Sequence, residues 1–163
     1  MNLIVAVDNK WGIGRDNGLL ASIPGDMQYF REHTTGKAVV MGRKTLESMP
    51  GHRGLANRTN IVLTSRPDYE AERCIIVHSD EELQGELSKY DGDDVFLIGG
   101  ASLYNRYYRD CERLYITKID GDMNADTFIV NIDEDPEFVV VSESEAITEN
   151  EITYRFIIYE RKK

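Results

Sequence analysis

Five short runs, "LIVAV", "AVVMG", "NIVLTS", "CIIVH" and "VFLIGG", are apolar and rich in β-branched residues, without the alternation of a strand that faces water on one side. Such strands have to be covered on both faces. Windows with helical patterning stand between them: Asp26 to Thr34, Lys44 to Ser48, Ser79 to Leu87, with Ser79 and Glu82 in capping-box spacing, and Ala101 to Tyr108. Strands alternating with helices predict a parallel sheet between helical layers. In the last third, "RLYITKID", "EFVVVSESEA" and "ITYRFIIYERK" follow one another with no helix between, so they pair antiparallel at one edge. The expected fold is an α/β three-layer sandwich: a central, mostly parallel sheet with an antiparallel C-terminal edge, flanked by about four helices.

At 163 residues and 41% hydrophobic, the chain suits one domain over residues 1–163 with one core. No internal repeat, low-complexity segment or linker marks a second domain. The formal net charge of -10 disfavours nucleic acid and anionic membranes as partners. Cys74 and Cys111 lack metal-ligand spacing and read as reduced thiols, and the opening "MNLIVAVDNKW" has no basic n-region. A soluble cytoplasmic protein is expected.

One acidic residue, Asp26, falls among Ile23, Met27 and Phe30, the apolar stripe of the first helix. Two readings are open. Pro24 starts the helix, and an anion in the first turn is favoured by the free N–H groups; or Asp26 lines a ligand pocket with Met27 and Phe30.

In open α/β sheets, ligands gather beyond the carboxyl ends of the strands. After "AVVM" come Gly42, Arg43, Lys44 and Thr45; after "NIVL" come Thr64, Ser65 and Arg66; after "VFLI" come Gly99, Gly100 and Ala101. Glycines permit close backbone approach and the basic and hydroxyl side chains suit phosphate oxygens, which points to a phosphorylated nucleotide. Strand ends also carry glycine and polar residues simply because loops begin there.

Other patterns fail. "GIGRDNG" lacks the spacing of a dinucleotide fingerprint and reads as a loop. "DGDMNAD" begins like a calcium loop, but its sixth position is Ala125 and its twelfth Asn131. His33, His52 and His78 form no ligand-spaced pair, so no metal site is expected.

With these pieces in order, "LIVAV…GIGRDNGLL…IPGDMQYFR", "VVMGRKTLESM", "NRTNIVLTSR", "VFLIGGASLY" and "LYITKIDGDMNADTF" resemble dihydrofolate reductases of bacterial type, along nearly the whole chain. The resemblance implies an oxidoreductase of one-carbon metabolism and an antifolate target, which passes a hydride from NADPH to C6 of dihydrofolate while N5 is protonated. In such enzymes the carboxylate at the start of the first helix, here Asp26, is the only ionisable side chain in the pterin pocket. It accepts hydrogen bonds from the pterin 2-amino group and N3, and partial burial should raise its pKa. Thr117 matches the threonine bonded to it.

Val5, Ala6, Met27, Phe30, Met49, Leu55 and Ile98 would wall the substrate pocket, and Arg58 would pair with the glutamate α-carboxylate. For the cofactor, the resemblance implicates Ala6, Ile13, Gly14, Asn17, Gly18 and Leu19, with Gly14 to Leu20 as a mobile closing loop that Asp126 steadies. It also implicates Gly42, Arg43, Lys44, Thr45, Leu63, Thr64, Ser65 and Arg66 toward the phosphates, and Gly99, Gly100, Ala101, Ser102, Leu103 and Tyr104 along the nicotinamide side, with a cis Gly99–Gly100 bond.

There are departures. Leu20 and Ala21 replace the family's Pro-Trp, Ala101 replaces a third glycine, and "MPGHRGLANR" is about two residues longer than usual, which leaves the role of Arg53 open. A monomer is expected. The rival readings are a pyrimidine reductase of riboflavin synthesis and a non-catalytic nucleotide- or folate-binding protein.

Overall fold

The apolar run after Met1 becomes β1 (Asn2–Val7), placed in the interior of the sheet, where a strand without polar alternation is stable. The computed structural model describes residues 1–163. β2 (Gly12–Arg15) and β3 (Gly18–Leu19) follow, then α1 (Pro24–Thr34), β4 (Ala38–Gly42), α2 (Arg43–Glu47), β5 (Thr59–Leu63), β6 (Cys74–Val77), α3 (Asp80–Leu87), β7 (Val95–Gly99) and α4 (Ala101–Tyr107). The chain ends with β8 (Arg113–Ile119), β9 (Thr127–Phe128), β10 (Phe138–Glu143), β11 (Ile147–Glu149) and β12 (Ile152–Arg161).

The main sheet runs β10-β12-β8-β1-β7-β4-β5-β6, with β11 paired to β12. From β8 to β6 every neighbour is parallel, whereas β12 meets β8, β10 and β11 antiparallel. The expected architecture is therefore present, helices included. On one face Tyr29 and Phe30 of α1 and Leu46 of α2 pack with Ile4, Val39, Met41, Val62 and Phe96. On the other, Leu83 of α3 and Leu103, Tyr104 and Tyr107 of α4 pack with Leu3, Val40, Leu97 and Ile116.

Three local readings change. "GIGRDNG", expected as a loop, forms the β2–β3 hairpin. Asp16 and Asn17 take positive φ values of 52° and 59° at its turn, a conformation Asn and Asp tolerate better than most residues. β2 also pairs with β9 in a separate three-stranded sheet. "EFVVVSESEA", expected as one strand, stops at Glu143 after a register shift between Val140 and Ser142, and Ile147–Glu149 turns back on β12 through Asn150 and Glu151, both at positive φ. The apolar stripe of α1 is not fully buried, since Ile23 is enclosed but Met27 is 43% exposed.

The capping box holds in modified form. Ser79 Oγ accepts from Glu82 N at 3.1 Å, and the Glu82 carboxylate reaches back to His78 N, one residue earlier than expected. Ser79→Ala should cost about 1 kcal/mol of folding stability, read as a lower denaturant midpoint with unchanged slope.

Candidate active site

The site begins where α1 crosses the sheet beside β8. Ile23 ends the incoming segment in extended geometry without supplying a side-chain cap, Pro24 starts the helix, and Asp26 falls in its first turn. The Asp26 carboxylate accepts a 2.6 Å hydrogen bond from Thr117 Oγ1 on β8. Thr117 is buried, and strand register sets Ala6 of β1 and Phe156 of β12 directly beside it. No lysine or arginine pairs with Asp26. Burial raises its pKa above the ordinary carboxylate value and the Thr117 bond only partly opposes this. The first-turn position of the first reading is therefore present, and the carboxyl is also half-buried against the sheet through Thr117.

Apolar residues gather around this pair. Phe30, Met49 and Ile98 pack on the α1–α2 side of the sheet, and Ala6 and Ala21 pack by Ile23, Ile119 and Tyr154. Val5 differs from Ala6, because side chains alternate along a strand and Val5 packs into the cluster on the α3–α4 face. Its side chain is therefore no part of the Asp26 wall.

Arg58 lies near the far end of α1. Its Nε donates to Thr34 Oγ1 at 3.1 Å, its Nη1 donates to Ala56 O at 2.9 Å, and its guanidinium lies 5.9 Å from the Phe30 ring. Arg53 instead faces Glu72 at 3.6 Å. The segment between them is fixed by Asn60, a buried residue that sequence reading passed over inside a strand. Its side chain accepts from Leu55 N and donates to Leu55 O, both at 2.9 Å, and also donates to Arg58 O at 3.2 Å. Leu55 and Arg58 are thereby held in place by one amide.

The ends of β4 and β7 form a second wall. Gly99 and Gly100 are joined by a cis peptide; a Cβ on either would lie a tight 3.2–3.3 Å from Thr45 Oγ1, and Gly99 also takes a φ of 136° that side-chain-bearing residues rarely adopt. Tyr104, buried in α4, donates to Ile4 O at 2.9 Å and so ties this wall to β1. Leu103 packs beneath Gly42. Arg43 pairs with Glu47 at 2.6 Å, while Lys44, Ser65 and Arg66 are exposed and Thr64 is buried after Leu63. The three strand ends singled out from the sequence thus lie at one edge, on the adjacent strands β7, β4 and β5.

The β2–β3 hairpin, with Ile13, Gly14, Asn17, Gly18 and Leu19, follows β1 and pairs with β9, and Leu19 is 72% exposed. Its tip is tied by Asp126, whose Oδ2 accepts from Asp16 N and whose own N–H donates to Gly14 O, both at 2.9 Å. Its base is tied by Asp8, a residue that sequence reading used only to end the first strand. Asp8 is 2% exposed, and its carboxylate accepts from Lys10 N, Gly12 N and Met123 N at 2.9–3.0 Å. A charged residue directly after a buried strand was the available signal.

Comparison with known proteins agrees with this arrangement. The family model for dihydrofolate reductase matches residues 1–161. The dihydrofolate reductase of Bacillus subtilis is 40% identical over 99% of this chain and 95% of its own, and that of Haemophilus influenzae is 39% identical over 99% and 98%. A solved dihydrofolate reductase from Enterococcus faecalis, complexed with NADP(H) and RAB-propyl, superimposes with a TM-score of 0.89 at 33% identity, over 99% of this chain and 96% of that one. A half-buried helix-start carboxylate facing a threonine, a bare diglycine strand end and whole-length kinship come together in one chain, which belongs to the dihydrofolate reductase family.

Proposed function

We propose that this chain reduces 7,8-dihydrofolate to 5,6,7,8-tetrahydrofolate with NADPH, by hydride transfer to C6 and protonation of N5, and so supplies one-carbon metabolism as a cytoplasmic monomer. The observation that carries the reading is Asp26, a half-buried carboxylate in the first turn of α1 with one hydrogen-bond partner, Thr117, and no cation paired to it. Antifolates would compete for the same pocket.

The residues present fit the cofactor. Backbone bared at Gly99 and Gly100 allows close approach, Ala101 to Tyr104 continue that wall, and Arg43, Lys44, Thr45, Ser65 and Arg66 offer donors for the pyrophosphate and 2′-phosphate. When bound, NADPH supplies the hydride. Asp26 accepts hydrogen bonds from the pterin 2-amino group and N3, fixing the ring, and its negative charge favours the protonated substrate. Ala6, Phe30, Met49, Leu55 and Ile98 exclude water around the ring. Arg58, already braced by Thr34 and Ala56, presents its guanidinium to the glutamate α-carboxylate. Ala21 stands where the family carries an indole, so here Asp26 and Thr117 orient the pterin without it.

Absorbance at 340 nm should fall when NADPH and dihydrofolate are both present, with a rate that declines as pH rises. Absence of dihydrofolate-dependent oxidation would overturn the reading. In Asp26→Asn, turnover at neutral pH should drop at least tenfold while NADPH affinity changes little. Arg58→Leu should chiefly raise KM for dihydrofolate; a pure kcat effect would contradict its role.

Stability should move in the opposite sense. Because its folded pKa is raised, Asp26 binds more protons in the folded than in the unfolded chain, so its contribution to stability is lost as pH rises from the ordinary carboxylate value through the folded one. Asp26→Asn should therefore melt above wild type at neutral pH, with the gap closing in acid.

A further inference from the structure

The first turn of α1 has a second carboxylate against it. Gly25 N, one residue before Asp26, donates to Glu149 Oε1 at 2.9 Å across 124 residues of sequence. The same oxygen accepts from Tyr154 Oη at 2.9 Å. Glu149 ends β11 and Tyr154 lies in β12, so the hairpin closed by Asn150 and Glu151 reaches over to the helix start. The approach is a built one. A Cβ on Gly25 would collide with the Tyr154 hydroxyl and come within 2.9 Å of Glu149 Oε1, so only glycine admits this contact.

Free N–H groups at a helix start ordinarily favour an anion in the first turn, which would lower the pKa of Asp26. Here one of those donors is taken by another anion. We propose that Glu149 is a positioning residue for Asp26: by occupying the Gly25 N–H and setting a second negative charge beside the first turn, it keeps Asp26 protonated to higher pH. The inference rests on the reading of Asp26 given above. The other groups that face Asp26 are neutral: Thr117 from β8, Tyr29 on its own helix, Tyr104 from α4 and Tyr154 from β12. Tyr154 is pushed up to about 12, chiefly by burial and then by its bond to Glu149, so it keeps donating across the working range.

The test is a titration of the Asp26 carboxyl by 13C NMR, its signal assigned by its loss in Asp26→Asn. Glu149→Gln keeps an acceptor for Gly25 and Tyr154 but removes the charge, and Glu149→Ala removes both. The Asp26 midpoint should move to lower pH in the first and at least as far in the second. Turnover above the midpoint should fall about threefold in Glu149→Gln, as expected from losing one charge next to the first turn in partly wet surroundings, and recover toward wild type in acid. An unchanged Asp26 midpoint in both variants, even with a lowered melting temperature, would reduce Glu149 to a purely structural contact and overturn the proposal. Because the NMR titration needs no substrate, it decides the matter even if the wild type shows no reductase activity, an outcome that would overturn the proposed function alone.

Discussion

The 2.6 Å bond between Thr117 and Asp26 joins the helical layer to the sheet at the point where the chemistry is placed. A carboxylate removed from water is costly unless something holds its charged form or it keeps its proton. A single hydroxyl is a weak partner for an anion, and the nearby side chains are phenols and alkyl groups. The balance therefore raises the pKa of Asp26 above the ordinary carboxylate value. The parallel register of β1 and β8 sets this up, because it lines Ala6 beside Thr117 and leaves only a small side chain next to the pair.

Much of this was legible in the chain. The unalternating strands fixed a sheet covered on both sides, and the three polar strand ends could be matched to one edge because parallel strands point the same way. Asp26 was conspicuous, being charged within an apolar stripe. What could not be read was whatever depends on contacts between distant segments. Asp8 looked like the end of a strand until Met123 was found bonded to it, Asn60 looked like a strand residue until its amide was seen bracing Leu55 and Arg58, and Glu149 sat in a polar run with nothing local to mark it.

The two hairpins were missed for a related reason. Both turn through pairs of residues at positive φ that carry no glycine, Asp16–Asn17 and Asn150–Glu151, so the strongest local signal for a tight turn was missing or weak. β2 also earns its pairing from β9, more than a hundred residues on, which no local pattern reveals. Turns of this kind are stabilised by what they bring together. In both cases that is an acidic side chain bonded to a backbone N–H: Asp126 to Asp16, and Glu149 to Gly25.

At the base of the first hairpin sits Trp11, 6% exposed and at a positive φ of 62° that a bulky side chain seldom adopts. Lys118 Nζ lies 4.9 Å from its ring, the Tyr159 ring is 6.5 Å away, and its carbonyl accepts from Ile129 N. It is the chain's one tryptophan. Excited at wavelengths that its nine tyrosines do not absorb, the protein therefore emits from a single indole, set between β1 and the hairpin beside an ammonium group. This molecule carries its own optical reporter of the packing at the hairpin base, and no label has to be attached to read it.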